Sequence, residues 1–534
     1  MSADSPAAAG AWDPLHRPLF RALWIATVTS NIGTWMQNVA AAWLMTSLSS
    51  SPVTIALVQA ATSLPIFLLA LPAGALADIV DRRRLLLFTQ GWMLLTAALL
   101  GFFTLAGRTT PGSLLSFTFL LGVGAAMNAP AWQAILPELV PRSELPAAIS
   151  LNSAGFNIAR AVGPALGGLI IAATGPGVVF LLNAATFFGV VIVLYRWPRP
   201  PRGHTLPAEQ ILEAIWTGLR YVRYAPALQW VLIRIGLFML GASALWALLP
   251  LLAQRQLGLG SLGYGLLLGS LGTGAVLGAV FLQEARKRIS PRRMVAAAPL
   301  LFAVVMLLLA TSRSFPLLII VMMLGGIAWM VEISSLNVLA QTFSPSWVLA
   351  RSLALFLLVI QGAMMAGSLL WGSVAEQLGI PGAMMLAALG LLLGWIITAR
   401  RPLPSSEEVD LTPSLHWVEP VLIGKARPEQ GPVLVTVEYQ IDLQRADEFK
   451  RLMRELARIR RRDGALRWGL YRDTAAPGRY LETFLVASWA EHLRQHARVT
   501  VDDRQVEERV HAIHIGALPP IVSHFIDAGD LEEE

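Results

Sequence analysis

Apolar residues in this chain come in runs too long and too unbroken for a soluble fold. Ile55 to Ala77, Leu114 to Leu136, Leu228 to Leu252 and Met294 to Ala310 contain no charged side chain except Arg234. Crossing about 30 Å of hydrocarbon takes about 20 such residues in a helix. Breaking the pattern at polar, proline and glycine positions predicts twelve spans: 19–46, 53–77, 85–106, 112–135, 148–173, 177–196, 228–253, 262–283, 292–311, 315–341, 350–375 and 380–399. The expected class is an all-α membrane protein of two parallel six-helix repeats, with a soluble α+β domain behind it. The division reads 1–18 as an N-terminal segment, 19–196 and 228–400 as bundles, 197–227 as a connector, 401–432 as a linker, 433–526 as the soluble domain and 527–534 as an acidic tail.

Composition agrees with lipid as the solvent: 55% of residues are hydrophobic, 14% are charged, and the mean hydropathy is +0.59. A net charge of +7 invites a nucleic-acid reading, but the basic residues are dispersed among loops, so no nucleic-acid partner is expected. Loops on the side of the termini carry Arg82, Arg83, Arg84, Arg142, Arg196, Arg199, Arg202, Arg220, Arg223, Arg286, Lys287, Arg288, Arg292, Arg293, Arg400 and Arg401. The opposite loops hold only Arg108, Arg255 and Arg313. Cationic loops stay on the cytoplasmic side, so both termini are expected there and the chain in the inner (plasma) membrane. Met1 to Arg17 holds no apolar core with a small-residue cleavage site, so the first span is expected to direct insertion. The absence of cysteine excludes disulfides, thiolate metal sites and thiol nucleophiles.

An offset of 204 residues superposes the two halves. Gly74-Ala75 then meets Gly278-Ala279, Arg82-Arg83-Arg84 meets Arg286-Lys287-Arg288, and Gly122, Pro141, Gly163, Gly168 and Gly175 meet Gly326, Pro345, Gly367, Gly372 and Gly379. Parallel repeats about an axis along the membrane normal place a substrate path between the halves, near the midplane.

Two segments carry more specific information. Between the second and third spans the chain reads Gly74-Ala-Leu-Ala-Asp78-Ile-Val-Asp81-Arg82-Arg83-Arg84. Glycine permits close helix approach, and an acid at a helix end can engage a neighbouring helix N-terminus or an arginine. The segment resembles the loop signature of the major facilitator superfamily, with Asp81 where that signature has glycine. The resemblance implies that Asp78 helps lock the cytoplasmic side, with the start of span eleven and Arg351 as partners and Glu138 bridging Arg83 or Arg84. A solvated cluster that only sets topology is the alternative. In span five, Ala159-Arg160-Ala-Val-Gly163-Pro164-Ala-Leu-Gly167-Gly168 resembles the antiporter motif of the same superfamily, with Ala159 in place of its leading glycine. Generic transmembrane packing of small residues is the alternative. Residues 15–400 resemble the exporter subgroup that includes enterobactin and macrolide efflux proteins.

Ionisable groups in hydrocarbon are costly and usually functional. Here they are Glu332, Arg160 and Arg234. Glu332 is the candidate proton carrier, the alternative being a permanent ion pair with an arginine. Asn31, Trp35, Gln37, Asn38, Asn128, Trp132, Gln133, Asn337 and Gln341 are candidates to line the cavity, and the offset brings Asn128 onto Glu332 and Gln133 onto Asn337. Trp35 and Trp132 suit stacking on a flat substrate, although tryptophans near span ends also serve as interfacial anchors. No phosphate-cradling Gly-x-x-x-x-Gly-Lys-Ser/Thr loop is present, so the proton gradient is the expected energy source, with no cofactor.

The connector reads as an extended Trp-Pro-Arg-Pro-Pro-Arg-Gly stretch followed by an amphipathic helix, Glu209 to Tyr224, suited to an anionic leaflet. The tail reads strand 433–441, helix 445–461, strands 465–472 and 480–488, helices 489–497 and 502–513, and strand 520–526, a ferredoxin-like order. Its Tyr480 to His496 segment resembles the antibiotic-biosynthesis monooxygenase family of dimeric α+β barrels. His492 and His496 have metal-ligand spacing without a third ligand, so a solvated or dimer-interface face is expected, with no metal. The combined expectation is proton-coupled efflux of a small molecule such as a siderophore or drug. Partners are the substrate, the bilayer and a second copy of the chain through the tail, which serves as a regulatory or dimerising module and not an enzyme. Uptake by the same fold and a membrane-tethered monooxygenase are the alternatives.

Overall fold

The computed structural model describes residues 10–197, 211–400, 410–417 and 430–527. The proline-rich opening of the connector, most of the linker and the acidic tail therefore lie outside the described residues. Helices α1 (Pro18–Leu48), α2 (Pro52–Ile79), α3 (Arg82–Leu105), α4 (Pro111–Leu139), α5 (Leu145–Thr174) and α6 (Pro176–Arg196) form the first half. After the connector helix α7 (Ile211–Tyr224) come α8 (Pro226–Leu251), α9 (Ser261–Arg288), α10 (Pro291–Thr311), α11 (Phe315–Thr342) and α12 (Leu349–Ala399).

Among the described residues, ten helices are long and apolar enough to cross a membrane. Proline opens α1, α2, α4, α6, α8 and α10, where its missing N–H costs no helical hydrogen bond and its fixed φ suits the first turn. Asp81 caps α3 by accepting from the Arg84 N–H at 2.9 Å. This explains why an acid stands where the family signature has glycine: its φ of −56° needs no glycine. The 51 residues of α12 are one element broken at Gly379, with φ 74° and ψ 169°. Gly175, between α5 and α6, has φ 85° and ψ 168°. Both lie in the left-handed region that favours glycine.

The chain divides into two units, the first holding Met1–Ile211, Leu232–Asn337 and Phe356–Pro402, the second Leu212–Val231, Val338–Leu355 and Leu403–Glu534. In the first, small residues set the helix contacts. A β-carbon on Gly122 would lie 2.8 Å from the Pro65 ring of α2, and one on Gly326 would strike the Leu271 carbonyl of α9. Gly168 of α5 sits against Ser261 and Gly265 of α9, and Gly372 of α12 against Val53 and Ala56 of α2. These last contacts join the two halves. At the same end, Ser261 donates to the Gly168 carbonyl (3.1 Å), Arg255 donates to the Ser50 carbonyl (2.7 Å), and Trp43 stacks on Tyr264 at 5.9 Å. The halves are therefore closed together at the end away from the helix starts of α1 and α5.

In the second unit, β1 (Val433–Gln440), α13 (Ala446–Asp463), β2 (Arg467–Arg472), β3 (Arg479–Val486), α14 (Trp489–Arg498), α15 (Val501–His511) and β4 (Ile521–Ile526) follow the order expected from the sequence. The antiparallel sheet runs β2-β3-β1-β4. Val433, Val435, Val437 and Tyr439 alternate into a core shared with Phe449, Met453 and Leu456 of α13. The domain meets α7 and the turn between α11 and α12: Tyr221 donates to the Phe343 carbonyl (2.9 Å), Arg220 pairs with Glu491 (3.2 Å), and Arg498 lies 4.6 Å over Trp347.

Candidate functional site

Inside the first unit, two constellations stand out. Arg160 of α5 has its guanidinium carbon 6.0 Å from the Trp35 ring of α1 and 6.0 Å from the Trp329 ring of α11. Gly163 permits this, because its missing side chain makes room for Trp35, whose Cβ a substituent there would meet at 2.6 Å. Trp329 is backed by Trp246 of α8, ring centroids 4.2 Å apart. The second constellation is a cavity of about 180 Å³ in the second half, lined by Arg234, Phe238, Pro299, Glu332, Trp395 and Thr398 among others. Glu332 is 1% exposed and its Oε2 has no hydrogen-bond partner. Arg234 donates to the Thr398 carbonyl at 2.8 Å and acts on Glu332 electrostatically.

Sequence-predicted lining residues separate into groups. Trp35 joins Arg160, but Gln37 turns into the α1–α6 contact, where it accepts a short hydrogen bond from Asn183. Asn128 accepts from Thr89 (3.2 Å) and Gln90 (3.3 Å), linking α4 to α3. Trp132 packs in the core of the first half, while Asn38, Gln133 and Gln341 are exposed and Asn31 and Asn337 half-buried. Trp329 was not singled out in the sequence, although an indole in mid-span, away from the interfacial belts, is the available signal.

At the loop signature the structure corrects one expectation. Glu138 pairs with Arg82 (3.0 Å), whereas Arg83 donates to the Leu194 and Tyr195 carbonyls at the end of α6. Arg82 opens α3 directly behind its cap, so its side chain swings towards α4, while Arg83 leaves on the α6 side. Among the described residues, a β-carbon on Gly74 would meet no atom within 4 Å. The Asp78 side chain lies outside the described residues, and Arg351 is half-buried against Gly218 of α7. In the antiporter-like segment, Gly167 abuts Met36 of α1, and the Pro164 carbonyl packs against Gly265 of α9, where a β-carbon would strike it.

The profile of the transmembrane secretion effector family matches residues 9–531. The chain belongs to this family of major facilitator transporters. Among relatives of this chain, the multidrug efflux pump Tap of Mycolicibacterium fortuitum is 26% identical over 72% of this chain and 96% of the pump. The staphyloferrin A transporter of Staphylococcus aureus is 33% identical over 26% of this chain, a stretch spanning only 36% of that transporter. The enterobactin exporter EntS of Shigella boydii is 25% identical over 46% of this chain and 59% of that exporter. The fold is shared with a bacterial homologue of the lysosomal transporter Spinster in an inward-facing, unoccupied conformation (TM-score 0.60, 14% identity, 72% of this chain, 97% of that one). Family and relatives are transporters, not enzymes.

In the soluble domain, His492 is 1% exposed, which corrects the expected solvated or interface face. Its Nε2 lies 3.3 Å from His496 Nε2, and its ring is 4.7 Å from that of His524. Among the described residues no group of three acids or histidines is placed to hold a metal. Burial, and then the neighbouring His524, push both imidazoles from 6.5 down to about 4. With folded values below unfolded ones, the unfolded state takes up protons first, and stability is lost as pH falls from about 6.5 towards 4. Asp463, raised to about 6 by burial, opposes this by adding stability as pH falls through that value. Two histidines outweigh one carboxyl, leaving a net loss on the order of 2 kcal/mol between pH 7 and 5. Hydrogen exchange in β1 and β3, corrected for intrinsic rates, should therefore be at least tenfold faster at the lower pH; equal protection at both would refute the assignment.

Proposed function

We propose that the chain is a proton-coupled exporter of small organic molecules, of the siderophore, drug or secondary-metabolite kind, working by alternating access. The observation that carries this is Glu332, a carboxylate with an unbonded oxygen buried in a cavity beside Arg234. An acid so placed takes a proton from one side and gives it to the other as the halves rock. Export is favoured by the likeness, over 72% of this chain, to an efflux pump.

The reading includes twelve crossings in two repeats. Support comes from Gly175 and Gly379, which the 204-residue offset pairs and which share one unusual backbone conformation. Matched seams at Gly168 and Gly372 point the same way, each fitting the other half's second span. Arginine-rich loops favour cytoplasmic termini, so the state seen is closed towards the outside. The ferredoxin-like tail, tied to α7 and the α11–α12 turn by Tyr221, Arg220 and Arg498, is proposed as a regulatory module.

Glu332→Gln should keep the fold and abolish dependence on the proton gradient, lowering gradient-driven efflux at least tenfold in vesicles loaded with a dye panel. Undiminished, gradient-sensitive efflux from that variant would remove Glu332 as carrier. Uptake is separated by which side of an oriented vesicle loses substrate.

A further inference from the structure

We propose that Arg160, between Trp35 and Trp329, anchors a small organic anion bearing a flat ring, the oxyanion on the guanidinium and the ring against the indoles; this rests on the transport reading above. Arg160 is half-buried in mid-helix, and among the described residues it has no hydrogen-bond or ion-pair partner. Burying a guanidinium without a counter-ion is costly, and intramembrane arginines are normally paired. Glu332, one turn beyond Trp329 on α11, is turned into the cavity with Arg234 instead. The missing negative charge is thus left for a ligand to bring.

The walls narrow the ligand's chemistry. Trp35 and Trp329 come from opposite halves, and each is braced, Trp35 by Phe156 (6.4 Å, edge-on) and Trp329 by Trp246. Rigid indole faces favour a planar group, and the guanidinium fork matches a carboxylate in two parallel hydrogen bonds. A neutral molecule of the same shape leaves the cation unpaired, and a cationic one is repelled. Because the site draws on both halves, a ligand held there touches the two bodies that alternating access moves apart.

The test is isothermal titration of the purified full-length chain in detergent micelles with 2-naphthoate, its neutral counterpart 2-naphthamide and the saturated-ring anion cyclohexanecarboxylate, which has no π face. Naphthoate should bind at least tenfold more tightly than either. Arg160→Gln should erase the naphthoate-over-amide preference, Arg160→Lys should retain part of it, and Trp329→Leu should erase the preference for the aromatic acid over cyclohexanecarboxylate. Equal binding of naphthoate and naphthamide by the parent chain overturns the proposal, as does no naphthoate binding, or an unchanged preference in a monodisperse Arg160→Gln. The parent-chain comparison needs no variant to fold. Dye efflux from cells with and without the protein is scored separately: efflux without naphthoate selectivity removes this site and leaves the exporter reading, whereas selective binding by a chain that moves nothing removes the exporter reading.

Discussion

Gly168→Leu is expected to lower transport at least tenfold while the protein still inserts and purifies as the parent does. A β-carbon at position 168 would lie 2.5 Å from the Ser261 carbonyl oxygen and 3.1 Å from the Gly265 Cα. Both are backbone atoms, so no side chain can rotate away; α5 and α9 have to separate. Overpacking of this kind costs about 1–3 kcal/mol. The penalty falls only on the state in which the halves meet at this end, so it shifts the balance between states about 5- to 150-fold. The chain has no cysteine, which makes labelling free of background. Ala56→Cys is a suitable reporter, because Ala56 is fully buried where α2 meets Gly372 of α12. In the parent chain it should resist a membrane-impermeant maleimide; with Gly168→Leu it should react. If the double variant stays unreactive and transport is normal, this seam is not the moving contact.

Arg460→Ala is expected to unfold the soluble domain locally and leave the membrane helices intact. Arg460 reaches Glu482 (3.3 Å) and Glu507 (2.5 Å), both buried, and packs its guanidinium 4.8 Å over Trp417. Each carboxylate is completed by other donors, Glu482 by Tyr439 (3.0 Å) and Trp468 (2.9 Å), and Glu507 by His416 (2.7 Å) and Trp417 (2.9 Å). These contacts, Arg460 foremost, overcome burial and hold Glu507 down at about 2. Removing the cation leaves two carboxylates buried without their charge partner, which costs about 3–5 kcal/mol. Limited proteolysis of the full chain should then release the domain at least a hundredfold faster, with the membrane fragment unchanged. Replacing Arg460, Glu482 and Glu507 together by apolar residues should recover much of the loss, since it leaves no unpaired charge. Proteolysis at the parent rate in Arg460→Ala would show that the network carries little stability.

Several features of this protein were open to reading from the chain because their causes are local. Bilayer thickness fixes the length of an apolar run, so the membrane-helical class is visible in segments such as 55–77 and 294–310. Strand alternation at Val433, Val435 and Val437, and the caps Ser488 and Thr500, mark the elements of the tail in the same local way. Asp81 shows where a motif comparison stops, for only the helix it caps explains why it stands there.

Contacts between elements were a different matter. Arg82 and Arg83 are neighbours in sequence, yet a turn of about 100° per residue sends one to Glu138 on α4 and the other to the end of α6. His492 and His496 looked like a face until β4 brought His524 against them. The sequence by itself determined that this is a many-span membrane protein with a small soluble domain, a loop signature of the major facilitator kind and a few ionisable groups in its interior. The tertiary structure alone decided that Arg160 meets indoles from both halves, that Glu332 shares a cavity with Arg234, and which end of the bundles is closed. Hydrophobic run length is written one residue after another, whereas these pairings join residues about a hundred or more positions apart and depend on the rotation and tilt at which helices pack.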